Sequence, residues 1–151
     1  AYLTQNAQTV SGTQFQDAVR AFEARHAGYL SRTSGTPVSE LRARLMKLMD
    51  RHVGILRDEA GLLTALSGLD RLESAFADAC SCGGSGVRSL YEFSNMLLLG
   101  RMQVMASFLR TESRGVFNRT DHPDRDDSAW KKNIVFHLKN GRPVPVVRDC
   151  K

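Results

Sequence analysis

The residues best equipped for chemistry lie close together, between Glu112 and Lys131. There the chain reads Glu112-Ser113-Arg114-Gly115-Val116-Phe117-Asn118-Arg119-Thr120-Asp121-His122-Pro123-Asp124-Arg125-Asp126-Asp127-Ser128-Ala129-Trp130-Lys131. The ions alternate too closely for a solvated helix face, and His122-Pro123 breaks any helix. Guanidinium forks suit bidentate pairing with carboxylates. Arg114, Arg119 and Arg125 set against Asp121, Asp124, Asp126 and Asp127 therefore read as an irregular segment held down by ion pairs, with Trp130 as its apolar anchor. A solvated polar loop is the plainer alternative. Ser113, His122 and Asp121 supply the residue types of a nucleophilic triad, but nearness in sequence assigns no role in space.

Other reactive side chains are sparser. His26 and His52 fall on apolar helical faces with no Asp, Glu or Cys at metal-ligand spacing, and read as core or boundary histidines. Cys80 and Cys82 form a lone C-x-C before Gly83-Gly84, without a second pair of zinc ligands, and read as a flexible turn. With Cys150 they make an odd set of three, which is simplest in a reducing compartment. The chain contains no G-x-G-x-x-G, P-loop, H-E-x-x-H or G-x-S-x-G.

The elements that would position these residues are mostly helical. Phe15, Ala18, Val19, Phe22, His26 and Tyr29 recur at helical spacing and predict a first helix over 13–29, after a polar tail over 1–12 and ended by Gly28 and the turn leading to Pro37. Ser39 is a good N-cap for a second helix to Arg57, striped by Leu41, Leu45, Leu48, His52, Ile55 and Leu56. A third, over 60–79, places Leu62, Leu66, Leu69, Leu72 or Glu73, and Phe76 on one side and ends at Gly83, Gly84 and Gly86. A fourth, over 89–111, carries Leu90, Phe93, Leu97, Gly100, Val104 and Phe108 on one face. Met96, Leu98, Leu99, Met102 and Met105 are apolar on others, so this helix needs cover on several sides. That cover is either its own domain or a partner docked on an exposed apolar face. Near the end, Ile134–Leu138, the Asn140-Gly141 turn and Val144–Val147 predict a β-hairpin, with Pro143 and Pro145 confining the return strand to an edge.

In 151 residues with a formal charge of +5, the excess lies at one end. Lys131, Lys132, Lys139, Arg142, Arg148 and Lys151 against Asp149 account for all of it, and the first 130 residues carry fifteen charges of each sign. A balanced body with a basic hairpin argues against a nucleic-acid surface, which would cluster cations on one face. The longest apolar run, Met96–Gly100, is far short of the ~20 residues a membrane helix needs, and the N-terminus has no signal-peptide pattern. A chain that starts at Ala1 rather than Met reads as processed or as part of something larger.

The 112–131 stretch resembles the E-S-R-G-A-H-x-R-x-D-Y-P-x-R-D-D-x-x-W-x-K signature in the C-terminal helical domain of the fumarate reductase and succinate dehydrogenase flavoprotein family, which includes aspartate oxidase. Glu40-Leu41-Arg42-Ala43-Arg44-Leu45-Met46, followed by Met49, is similar to the family's E-L-R-x-x-M-q-x-x-M helix. Val116-Phe117 departs from the usual Ala-His, His122 from an aromatic residue, and Asn133 from a common His. The resemblance implies a mainly α fold, an antiparallel bundle of three to four helices followed by an irregular charged segment and a C-terminal β-hairpin. It divides the chain into 1–37, a tail and helix leading from a flavin-binding domain; 38–132, the helical bundle with the signature; and 133–151, the basic hairpin.

The functional expectations follow from the same resemblance. Relatives bind FAD in another domain, close a capping domain over a dicarboxylate and pass a hydride between substrate and flavin N5. This chain is expected to carry no catalytic, cofactor-binding or metal residue of its own, the FAD belonging to the intact protein. Glu112, Ser113, Arg114, Gly115, Arg119, Asp121, Pro123, Arg125, Asp126, Asp127 and Trp130 are expected to tie the post-helix segment to the helices or to the flavin domain. Met96, Leu98, Leu99, Met102 and Met105 form the candidate docking face. The expected partners are the flavin-binding and capping domains and, in respiratory complexes, an iron–sulfur subunit, in the cytoplasm or peripheral to a membrane. The competing reading is a stand-alone module that binds an acidic protein or nucleic acid through the basic hairpin.

Overall fold

The computed structural model describes residues 11–81, 86–139 and 141–150. The polar tail over 1–10, the glycine turn at 82–85, Asn140 and Lys151 lie outside them. Helix α1 spans Gly12–Leu30. It opens with a reciprocal cap, Gln14 N–H donating to Ser11 Oγ at 3.2 Å and Ser11 N–H to the Gln14 side chain at 3.1 Å, which satisfies two otherwise orphaned donors. The helix passes through Gly28, which does not end it. Its apolar stripe is not core in this chain: Phe15 and Phe22 are 65% and 51% exposed, and Tyr29 alone is buried. Tyr29 meets Phe76 and Tyr91 edge-on.

A two-residue strand β1 (Thr36–Pro37) pairs in parallel with β3 (Ala79–Cys80). Gly35 makes the approach with φ +128°, and a Cβ there would lie 2.0 Å from the Asp78 carbonyl oxygen, so any side chain breaks the pairing. Helix α2 runs Val38–His52. Its cap position is Pro37, without a side-chain hydrogen bond, and Ser39 lies inside the first turn rather than capping it. The helix stops at His52 instead of reaching Arg57, because Leu56–Arg57 (β2) leaves to pair in parallel with Asn118–Arg119 (β4). Ile55 and Leu56, expected in the stripe, are 71% and 67% exposed.

Helix α3 (Glu59–Ala77) is capped by Asp58, which accepts from Gly61 N–H at 2.6 Å. Helix α4 (Gly86–Leu109) buries Leu90, Phe93, Leu97, Gly100, Val104 and Ser107. Helices α2, α3 and α4 pack on one another around Leu41, Leu45, Leu62, Leu69, Leu97 and Val104. Gly68 on α3 meets the Leu48 side chain where a Cβ would sit at 2.6 Å, so a small residue lets α2 and α3 close up. Cys80 is buried, belongs to β3 rather than to a flexible turn, and is disulfide-bonded. The disulfide removes the argument for a reducing compartment that the odd count of cysteines supplied. Cys150 is an exposed free thiol.

After α4 come β4, the short α5 (Asp127–Trp130), and the antiparallel hairpin of β5 (Lys132–Lys139) and β6 (Arg142–Asp149). Pro145 faces Phe136 and Pro143 faces Leu138, and Gly141 turns the hairpin with φ +73°. Strand β6 lies against α4. Among the described residues no helix is long and apolar enough to cross a membrane.

Candidate functional site

Where α4 ends, its last carbonyl oxygens lose their helical partners, and burying them demands new donors. Arg119 supplies them. Its side chain, 1% exposed, donates from Nη1 to the carbonyls of Ser107 (2.7 Å), Arg110 (3.1 Å) and Phe108 (3.3 Å). Its other edge forms a fork with Asp121, Nε to Oδ1 and Nη2 to Oδ2, both at 2.7 Å. Asp121 in turn accepts Glu59 N–H at 2.9 Å, at the first turn of α3. A cation thus sits at the C-terminal end of one helix and an anion at the N-terminal end of another, each on the side its helix dipole favours. The Arg119 fork holds the Asp121 carboxyl well below the usual range, aided by Glu59 N–H, and Asp121 keeps Arg119 firmly protonated.

A second cluster turns around Glu112, whose side chain is fully buried. It accepts from Arg114 Nε at 2.8 Å and Nη2 at 3.1 Å, from Arg110 Nη1, and from Asp126 N–H at 2.9 Å. The Arg114 fork, then Asp126 N–H and Arg110, lower its carboxyl to about 2 against the opposing effect of burial. Arg114 also reaches Asp127, which Arg125 grips at 2.9 and 2.8 Å. Arg125 and then Arg114 lower Asp127 to about 2. Arg110 lies over the Trp130 ring at 5.1 Å and donates to the carbonyls of Trp130 (3.1 Å) and Lys132 (2.9 Å), fastening α5 and the start of β5 to the end of α4.

The remaining signature residues shape the backbone. Ser113 Oγ accepts Arg119 N–H at 2.9 Å and donates to the His122 carbonyl at 2.8 Å. Ser113, His122 and Asp121 therefore form no triad: the serine is held by backbone and the aspartate by Arg119. Gly115 takes φ +59° in the tight turn closed by Arg114 N–H to Phe117 O at 2.8 Å, a conformation that suits glycine. Pro123 is exposed. Asp126 is not an arginine partner but the cap of α5, accepting Ser128 and Ala129 N–H at 3.0 and 2.9 Å. Asp124 contributes its backbone carbonyl to Ser113 N–H at 3.0 Å. Trp130 is half-buried and donates from Nε1 to Thr111 Oγ1 at 2.9 Å.

The sequence reading missed the ion-pair roles of Glu112 and Arg110. Arg110 had a signal, a cation one residue past a helix end, where dipole and orphan carbonyls favour it. Arg57 had none. Its guanidinium lies 4.7 Å from the centre of the Phe117 ring.

The candidate docking face is narrower than the sequence suggests. Leu99 is 62% exposed, while Met96, Leu98, Met102 and Met105 are half-buried and Met96 packs on the core. Leu99 and the 54%-exposed Met46 instead rim an open apolar cleft between α2 and α4, floored by Met49 and Met96.

Chemically, the two clusters are fasteners. A general acid or base near neutrality needs a carboxyl raised toward the working pH, and Glu112, Asp121 and Asp127 are shifted the other way. Among the described residues no buried side-chain nitrogen or oxygen lacks a partner, and no three His, Cys, Asp or Glu groups converge as metal ligands. The FAD that the resemblance implies thus finds no waiting buried donor among the described residues.

Residues 42–147 match the family described as "Fumarate reductase flavoprotein C-term". The chain is 32% identical over 111 residues to L-aspartate oxidase of Streptomyces coelicolor, covering 71% of this chain and 19% of that protein. It is 34% identical over 98 residues to the fumarate reductase flavoprotein subunit of Helicobacter pylori, covering 62% and 14%. Among solved structures, a Mycobacterium smegmatis Sdh1 structure in complex with UQ1 superposes with a TM-score of 0.77 at 27% identity, covering 99% of this chain and 26% of that one. A quinol-fumarate reductase with menaquinol molecules superposes with a TM-score of 0.83 at 17% identity, which shows the shared fold. The chain thus spans less than a fifth of the length of either of these two curated relatives. The clusters at the end of α4, the helices they fasten and these matches together place the chain in the fumarate reductase and succinate dehydrogenase flavoprotein family, as its C-terminal domain.

Proposed function

We propose that this chain serves a flavin-dependent oxidoreductase as a non-catalytic packing domain. Its helical bundle docks on the flavin-binding and capping parts of the same or a partner polypeptide, where FAD and the catalytic groups reside. The observation that carries this is the apolar cleft between α2 and α4, with Met46 54% and Leu99 62% exposed above it. Large apolar side chains around a concave surface mark contact sites, and they give a docked partner something to bury. Within the chain, residues 1–37 lead from the flavin-binding part, 38–132 form the docking bundle and 133–151 the hairpin. The assembly belongs in the cytoplasm or peripheral to a membrane, beside an iron–sulfur subunit where one is present. The family match disfavours a stand-alone module that reads acidic partners through the hairpin.

The test is capture of the native protein from its source cells with an antibody to this domain, followed by intact mass and visible absorption. A flavin-bearing polypeptide several times heavier than 16.8 kDa is expected. A colourless species of 16.8 kDa would contradict the proposal.

A further inference from the structure

Arg57 differs from the other arginines around the signature. Arg110, Arg114, Arg119 and Arg125 each hold a carboxylate. Arg57 is half-buried, lies against Phe117 at 4.7 Å and spends one donor, Nε, on the Val53 carbonyl at 3.3 Å. It forms no ion pair with any described residue, and burial alone lowers its basicity, with no anion opposing the effect. Arg57 lines an open cleft of about 390 Å³ together with Arg110 and Arg114, with Phe117 and Ile134 as apolar walls.

The pairing there selects a ligand. Arg110 and Arg114 already hold Glu112 and Asp127, whereas Arg57 lines the cleft without a carboxylate partner among the described residues. A free guanidinium fork suits a planar carboxylate. The apolar walls suit a group carried on carbon. Next to Arg57 and Phe117 in sequence stand Ile55, Leu56 and Val116, exposed by 71%, 67% and 87%. A docked protein surface would bury such exposed apolar side chains, whereas a small anion from solution would leave them in water. Relatives extend far beyond the matched region, this chain covering only 19% of the aspartate oxidase and 14% of the fumarate reductase subunit.

We propose that the Arg57 cleft receives an aspartate or glutamate side chain from the flavin-binding part of the protein, forming an interdomain ion pair on the Phe117 ring. The inference rests on the docking reading above and locates one contact of it. It also gives the Phe117 departure a use: an aromatic face at this position carries the guanidinium and orients its free edge.

Guanidinium labelling by phenylglyoxal, read by peptide mass spectrometry on the native flavin-bearing polypeptide in chloride buffer, tests it. Arg57 should react about tenfold more slowly than the exposed Arg71, because a desolvated carboxylate fork occupies it. Protection that develops only on adding sodium acetate would mean a site for free carboxylates and overturn the interdomain source. Reaction at the Arg71 rate with and without acetate would overturn the site altogether, while the flavin absorption of the same sample would leave the docking reading standing. A sample without flavin would overturn both. Two variants separate pairing from mere coverage. Arg57→Met should lower the thermal midpoint of the flavin-bearing polypeptide, and Arg57→Glu should lower it further. Equal midpoints for Arg57→Met and the wild type would show a covered but unpaired arginine, and the proposal would fall.

Discussion

The three-helix core and the segment after α4 are held together in different ways. Leu41, Leu62, Leu69 and Leu90 have no exposed surface and gain stability by leaving water, an effect without direction. Glu112 and Arg119 are as deeply buried, yet their burial costs free energy unless every donor and acceptor is matched. An apolar core tolerates a change of shape by partial collapse. A buried ion cluster does not, because removing one partner leaves a charge with nothing to answer it. The cluster therefore specifies one path for residues 110–132, and the core specifies only that the helices stay together.

The largest break in this comparison should come from Glu112→Ala. It strands Arg110 and Arg114 and leaves Asp126 N–H without its acceptor, at a cost of about 4 kcal/mol in urea unfolding. Leu69→Ala, fully buried in the core, should cost about 3 kcal/mol, the neighbouring side chains partly closing the cavity. If Leu69→Ala proved the more damaging, the segment after α4 would be an accessory to the core.

Acid sharpens the contrast. In the folded chain Glu112 sits at about 2 instead of 4.5, so the unfolded chain binds more protons as pH falls. The stability it contributes is complete above about 4.5, shrinks between 4.5 and 2, and is gone below. Asp127, also at about 2, adds to the loss over the same window. Glu112→Gln should flatten the pH dependence of stability in that range, whereas Leu69→Ala should shift the whole curve without changing its slope. The smallest effect belongs to Arg44→Ala, which removes an exposed i,i+4 pair with Glu40 and should cost no more than about 0.5 kcal/mol.

The same division governs how much was legible in the sequence. Apolar spacing located α3, α4 and the hairpin, because their periodicity is local and strong. It overran α2, since Ile55 and Leu56 continue the helical spacing while the pairing of Leu56–Arg57 with Asn118–Arg119 takes that stretch out of the helix. Such a pairing, 62 residues away, leaves no local trace. The stripe on α1 was equally visible, but Phe15, Val19 and Phe22 are exposed, and periodicity says which face is apolar without saying what covers it. In the charged segment, residue types announced ion pairing and resemblance named the signature. The partners still could not be read: Asp126 caps a four-residue helix, and Glu112, an acid one would expect in water, became the hub.

The most direct test of this account is the titration of the Glu112 carboxyl, followed by carbon NMR on the folded chain with a Glu112→Gln spectrum for assignment. A midpoint near 2 would establish a buried carboxylate gripped by Arg114 and Arg110. A midpoint near 4.5, that of an ordinary glutamate, would mean that the residue is in water and that something other than this cluster holds the segment in place.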